Sequence, residues 1–210
     1  MTCFGFVLFP ELEELDFAGP WEMIGSWSKH FGGPEECLTV AEVATPVVAA
    51  KGLSLNPHAV FATCPPLDYL LVPGGSGTRK QVDNPALVRF IAERAATCKA
   101  VLSVCTGAFL LERAGLLAGK RATTHWASLD RLRACSGVDV VEERFVRAGN
   151  VWTSAGVSAG TDMALAFIAD VAGDDVAGKV QLYSEWYPST RRYGSAHLDP
   201  GAPAYVRERT

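Results

Sequence analysis

Several common signals are missing from this 210-residue chain. No stretch of eighteen uncharged apolar residues occurs, so no helical membrane span is expected. Positive charge is not in excess. Lysine and arginine total 19 against 23 acidic residues, and the net charge is −4. A general electrostatic footprint for nucleic acid or an anionic membrane is therefore absent. The start, MTCFGFVLFP, has no basic segment and no small-residue cleavage site. It reads as a first strand rather than a signal peptide, which gives a cytoplasmic expectation. The six cysteines form no CxxC or CxxxC motif and stand far apart. Reduced, mostly buried thiols are expected rather than a disulfide framework. His30, His58, His125 and His197 are too scattered to nominate a metal site, and no cofactor is called for. Gly-Lys-Ser/Thr is also missing after the glycine-rich segment at 74–77, which excludes a P-loop.

What is present is apolar material. The hydrophobic fraction is 49% and the charged fraction 20%, which excludes intrinsic disorder. No linker-like stretch divides the chain, so one large domain is expected over 1–190, with 191–210 as a C-terminal tail or arm without periodicity. Apolar runs at 3–9, 38–44, 68–72 and 100–104 predict buried strands. Residues 121–124 predict a short strand, and 142–155 a hairpin turning at Ala148-Gly149-Asn150. Helices are predicted after Pro20, taken as a first helical position, and from Pro85 to about Thr97. Others are predicted at 107–114, 126–134, 159–172 and 175–187. Strand–helix alternation of this kind implies an α/β sheet covered on both faces.

In such a sheet, ligands bind beyond the carboxyl ends of the strands. Three segments pass that filter. In Ser103-Val104-Cys105-Thr106-Gly107-Ala108 a strand runs directly into a helix through a cysteine. That geometry belongs to a nucleophile elbow, with the sulfur near a helix N-terminus whose field favours the thiolate. A buried structural cysteine is the plain alternative. In Val72-Pro73-Gly74-Gly75-Ser76-Gly77 the glycines can present backbone N–H groups. The Gly75 and Thr106 N–H groups would form an oxyanion hole, unless the segment is an ordinary strand–helix loop. In Glu14 to Pro20, Asp16 lies between Leu15 and Phe17. It is either a helix cap or a desolvated carboxylic acid able to exchange a proton with a thiol. His125, in Thr123-Thr124-His125-Trp126, is a further candidate, since Cys–His pairing activates thiols; a structural histidine is the alternative.

Together these segments resemble the ThiJ/PfpI superfamily, with its class I glutamine amidotransferase-like sandwich. The resemblance spans about 4–187 and rests on LDFAGP, DYLLVPGG, SVCTGAFLL, AGLLAGKRATTHW and the hairpin followed by TSAG. It implies a three-layer, flavodoxin-like α/β sandwich with a six- or seven-stranded, mainly parallel sheet. It also implies Cys105 as elbow nucleophile, with Asp16 as its acidic partner where many relatives carry glutamate.

Within the superfamily, SVCTG with TTHW and an aspartate at 16 is similar to the bacterial isocyanide hydratase branch. That branch implies a lyase acting on a small neutral molecule, with Thr106 helping to hold the site, and a cytoplasmic homodimer. Its chemistry asks for an apolar pocket, for which Phe17, Trp21 and Trp126 are candidates beside Gly74 and His125. PfpI proteases carry histidine after the cysteine, and Thr106 therefore disfavours peptidase chemistry. Aspartate rather than glutamate argues mildly against the glyoxalase/deglycase branch. A ligand-sensing domain of an AraC-type regulator is the other-class alternative, although no helix-turn-helix pattern follows and the chain is acidic.

Overall fold

The computed structural model describes residues 1–189 and 191–207; the remainder of the predicted arm, residues 208–210, lies outside the described residues. A central sheet is built from β1 (Cys3–Val7), β2 (Glu36–Ala41), β3 (Ala59–Val60), β4 (Tyr69–Val72), β5 (Ala100–Val104), β6 (Phe145–Ala148) and β7 (Val151–Ser154). The spatial order is β6-β7-β5-β4-β1-β2-β3. Every pairing in it is parallel except that of β6 with β7, which turn as a hairpin. Every residue of β1, β4, β5 and β7 is buried, as unbroken apolar runs require when a sheet is covered on both faces.

The main helices are α1 (Glu14–His30), α2 (Pro85–Ala95), α3 (Gly107–Arg113), α4 (Ala159–Ala172) and α5 (Asp174–Tyr183). The connection β1–α1–β2 steps one way across the sheet, and β4–α2–β5 steps the other. Parallel crossovers are right-handed, so opposite steps place these helices on opposite faces. Accordingly α1, α4 and α5 pack together, and α2 packs with α3. Phe4, Phe6, Tyr69, Trp152 and Phe167 meet in a continuous aromatic core under the first group. Among the described residues, no helix is long and apolar enough to cross a membrane.

One predicted boundary is corrected. Pro20 does not open a helix, because α1 begins six residues earlier, at Glu14, and Pro20 lies inside it. Phe17, Pro20, Ile24 and Trp27 share one buried face. Continuing that face upstream outweighs the hydrogen bond that proline cannot donate to the carbonyl of residue 16. Gly19 and Gly160 then let α1 approach α4 closely: a Cβ at Gly160 would stand 3.2 Å from Pro20 Cγ, and one at Gly19 would overlap Thr161 Oγ1.

Other predicted elements shorten. The run at 38–44 becomes Glu36–Ala41, the strand at 121–124 covers only Arg121–Ala122, and the helix predicted to 187 stops at Tyr183. The helix at 126–134 divides into a 3₁₀ turn, Trp126–Ser128, and a helix, Leu129–Arg133. Asn84 caps α2 as proline at the following position suggests, its Oδ1 accepting from Ala86 N–H at 3.0 Å.

Candidate active site

The strand order fixes where a site can form. Successive connections from β1 leave in opposite directions at the β1/β4 boundary, so the loops after these strands separate and open a crevice. Asp16, in the first turn of α1, and Gly74, two residues after β4, meet there. Cys105 follows the adjacent strand β5. Two of the sequence-predicted segments thus flank the third through topology alone.

Cys105 has φ +57°. This is the left-handed region, which a residue with a Cβ adopts at a cost of about 1–3 kcal/mol. Surrounding bonds impose it. The Cys105 N–H donates to Ser154 O (3.1 Å) and Ala155 O (3.2 Å), and its carbonyl accepts from Thr124 Oγ1 (2.8 Å). The residue is thereby pinned between β7 and the fully buried Thr124. Gly107 permits the sharp exit, since a Cβ there would stand 2.8 Å from Pro73 O.

Asp16 is fully buried. Its Oδ2 accepts from Gly74 N–H at 2.9 Å, so the carboxylate bridges to the glycine-rich loop and is not a helix cap. The Cys105 thiol and the Val157 N–H also approach the carboxyl, yet Oδ1 lacks a full hydrogen bond. A lone pair there remains available for a proton. Burial pushes the Asp16 pKa up to about 7, partly offset by the Gly74 N–H. Glycine at 74 is required sterically: a Cβ would lie 2.6 Å from Thr106 N and 2.8 Å from Asp16 Oδ2.

The Cys105 thiol is pushed up to about 12, first by burial and then by the charge of Asp16. The Thr106 N–H and hydroxyl pull the other way and lose. This corrects the expectation that the helix field favours a thiolate: α3 has only seven residues, and the sulfur is nearly inaccessible to water. Two acids that repel each other when both are charged titrate as a pair and retain at least one shared proton over a wide range.

Thr106 organises the loop. Its Oγ1 accepts from Gly75 N–H (3.0 Å), donates to Gly75 O (3.1 Å) and meets Thr78 Oγ1 at 3.1 Å. The Gly75 N–H is consequently occupied, which corrects its expected place in an oxyanion hole. Of the two expected donors, the Thr106 N–H is the one directed at the sulfur.

The accessory candidates separate. His125 Nδ1 accepts from Ala127 N–H (3.2 Å), capping its own 3₁₀ turn, while its ring covers Gly156. Burial lowers its pKa from the ordinary imidazole value. Among the described residues, no hydrogen bond joins it to Cys105. Phe17 is buried edge-on to Phe6 and tilted against Trp21, and Trp21 stacks on His58. Trp126 is 47% exposed and lines a surface cleft. Phe17 and Trp21 thus pack with each other and against Phe6, while Trp126 stands at the surface. Thr124 and Val157 were not singled out from sequence. The first sits in the TTHW run, where a buried threonine leaves no pattern of its own; the second acts through its backbone and leaves no side-chain signal. Among the described residues, no three His, Cys, Asp or Glu side chains converge as metal ligands would.

The model of the DJ-1/PfpI family matches residues 5–170. The chain is 40% identical over 205 residues to an isonitrile hydratase of Pseudomonas putida, covering 97% of this chain and 86% of that one. It is 29% identical to the HTH-type transcriptional regulator CdhR of Pseudomonas aeruginosa, over 84% of this chain and 53% of the regulator. A crystal structure of a THiJ/PfpI family protein from Pseudomonas syringae superposes with a TM-score of 0.86 at 34% identity, covering 98% of this chain and 83% of that one.

Proposed function

The chain belongs to the DJ-1/PfpI family, and from that premise we propose that it is a cysteine-dependent isocyanide hydratase, a lyase that converts a small neutral isocyanide and water into an N-substituted formamide. The observation that carries the reading is the buried Cys105–Asp16 pair, with one carboxylate oxygen held by Gly74 and the other lacking a full hydrogen bond. The 40% identity to an isonitrile hydratase supports the same chemistry. We place the enzyme in the cytoplasm as a homodimer, as the family resemblance implies.

The proposed reaction balances with these two groups and water. The Cys105 thiol passes its proton to Asp16 while the sulfur pair attacks the terminal carbon of R–N≡C. Asp16 returns the proton to that carbon, leaving R–N=CH–S–Cys105, a thioimidate. Water then adds across the C=N bond. The C–S bond breaks, the sulfur recovers a proton through Asp16, and R–NH–CHO leaves. A neutral substrate suits a crevice whose burial already opposes charge, and a soft sulfur suits a carbon nucleophile acceptor. The Thr106 N–H steadies negative charge on sulfur as the bond breaks.

The direct test is turnover of an aromatic isocyanide, with formamide appearance followed by absorbance. Wild type should turn over and Cys105→Ala should be inert. Full activity in Cys105→Ala would remove the covalent mechanism. The similarity to a transcription regulator favours a second reading, a ligand-sensing domain, which predicts no turnover of any isocyanide.

A further inference from the structure

The loop between β1 and α1 carries more than the Asp16 carboxyl. A two-stranded hairpin, Val47–Val48 with Ser54–Leu55, lies against it. The Glu11 N–H donates to Val48 O (2.9 Å), and the Ala50 N–H donates to Leu12 O (2.8 Å). The hairpin turn holds Lys51 and Gly52, whose φ of +95° allows the reversal. The same loop is also sewn to the glycine-rich segment. The Glu13 N–H donates to Gly74 O (2.9 Å), and the Gly77 N–H donates to Glu11 O (3.0 Å). Glu11, bonded to both neighbours, stands at φ +61°, a left-handed conformation that its surroundings impose.

Lys51 is the charged member of this junction. Its backbone N–H donates to Glu14 Oε1 at 2.5 Å. Its ammonium binds Glu13 Oε1 and stands 3.6 Å from Glu14 Oε2. Glu13 stands at the start of α1, yet its carboxylate does not cap the helix. Glu13 and Asp16 share the first turn, where the Asp16 N–H donates to Glu13 O at 3.1 Å. Both residues also hold Gly74: the Glu13 N–H takes its carbonyl, and the Asp16 carboxylate takes its N–H. Side chains at this spacing are neighbours, and like charges there repel. Burial is the main cause of the raised Asp16 pKa, and the Glu13 charge adds to it. The other titratable group facing Asp16 is Cys105; the glycine-rich loop and the segment after β7 present the N–H groups of Gly74 and Val157. His125 feels the Glu13 charge as well, while Glu11 turns to Ser76 Oγ at 3.4 Å.

We propose that Lys51 is a positioning residue for the Cys105–Asp16 pair: reaching from the hairpin, it ties down Glu13 and Glu14, fixes the turn that brings Asp16 to Gly74, and cancels the like charge beside Asp16. Without Lys51, an unneutralised Glu13 opposes ionisation of Asp16, and the first proton leaves the pair at higher pH. The clamp is independent of the isocyanide reading; only the choice of substrate rests on that reading.

In the full chain, wild type, Lys51→Met, Lys51→Arg and the double variant Lys51→Met/Glu13→Gln are compared from about pH 5 to about pH 9. Two rates are followed: alkylation of Cys105 by iodoacetamide, read by mass on its peptide, and kcat/KM for an aryl isocyanide. Lys51→Met should displace the acid limb of both profiles to higher pH, leaving each rate at about pH 6 roughly threefold lower, the worth of one exposed ion pair. Lys51→Arg should match wild type, because the charge and its reach remain. In the double variant the limb should return to its wild-type position or below it. A purely structural loss would lower both rates by one factor at every pH. That result, or an unmoved limb in a folded Lys51→Met, would overturn the proposal. A double variant displaced as far as Lys51→Met would overturn the part given to Glu13. A displaced alkylation limb with no isocyanide turnover by any protein would overturn the substrate and keep the clamp.

Discussion

The two ends of the same parallel sheet both bury cysteine thiols. At the amino end, Cys3 opens β1, and Cys64 and Cys98 precede β4 and β5. At the carboxyl end, Cys105 follows β5. Burial pushes Cys3, Cys98 and Cys105 alike up to about 12, so acidity does not distinguish them. Their surroundings do. Cys98 Sγ donates to Leu67 O (3.3 Å) and Cys64 Sγ to Pro65 O (3.4 Å), acceptors that cannot take a proton. Cys105 alone of the six stands at positive φ, beside a buried carboxyl able to exchange one. A proton acceptor and a forced backbone, rather than a low thiol pKa, therefore set Cys105 apart from the other buried thiols.

Exchanging the acceptor should break that contrast most strongly. Asp16→Asn leaves Cys105 with a neighbour that cannot carry a proton, and kcat should fall by roughly 10²–10⁴-fold, the usual worth of general acid–base catalysis. Stability should move the other way as pH rises. The folded Asp16 pKa, about 7, exceeds its ordinary 3.8. Proton binding therefore stabilises the fold fully below the ordinary value, and that contribution is lost as pH climbs through 7. The melting temperature of Asp16→Asn should gain on wild type between about pH 4 and about pH 7, the window set by those two values, and level off above it. A constant difference across this window would mean that the carboxyl does not titrate there.

A smaller effect is expected from Thr106→Val, which removes the Oγ1 bonds to Gly75 and Thr78 but keeps the N–H facing the sulfur. Loss of roughly tenfold in kcat corresponds to about 1.4 kcal/mol, within reach of such bonds. Kinetics equal to wild type would reduce Thr106 to its backbone. The smallest effect belongs to the other end of the sheet. Cys98→Ala should cost about 1 kcal/mol of stability through a small cavity and leave kcat/KM within about twofold of wild type. A large activity loss there, in a folded protein, would erase the distinction between the two ends.

The sequence already carried the buried strands, since β1, β4 and β5 are unbroken apolar runs whose period needs no partner to be read. It also carried the sharp strand–helix turn at Cys105, because a strand running into Cys-Thr-Gly is a local pattern. The start of α1 was not legible: Pro20 is a strong local signal, and only packing against α4 overrides it. Nor could the sequence decide whether Asp16 was a cap, because its partner, the Gly74 N–H, lies 58 positions away in the chain. Gly75 failed as an oxyanion donor for a related reason. Its N–H has an acceptor in Thr106 Oγ1, and side-chain to backbone bonds across loops leave no spacing pattern.

The central claim is that the Cys105 sulfur and the Asp16 carboxyl act as one proton-sharing nucleophile on an isocyanide. Acid quench of the enzyme during turnover, followed by peptide mass analysis, tests it most directly. The account predicts an adduct equal in mass to the isocyanide on the peptide containing Cys105, and on no other cysteine peptide. Turnover with Cys105 unmodified at every quench time, or with the adduct on Cys3, Cys64 or Cys98, would contradict it.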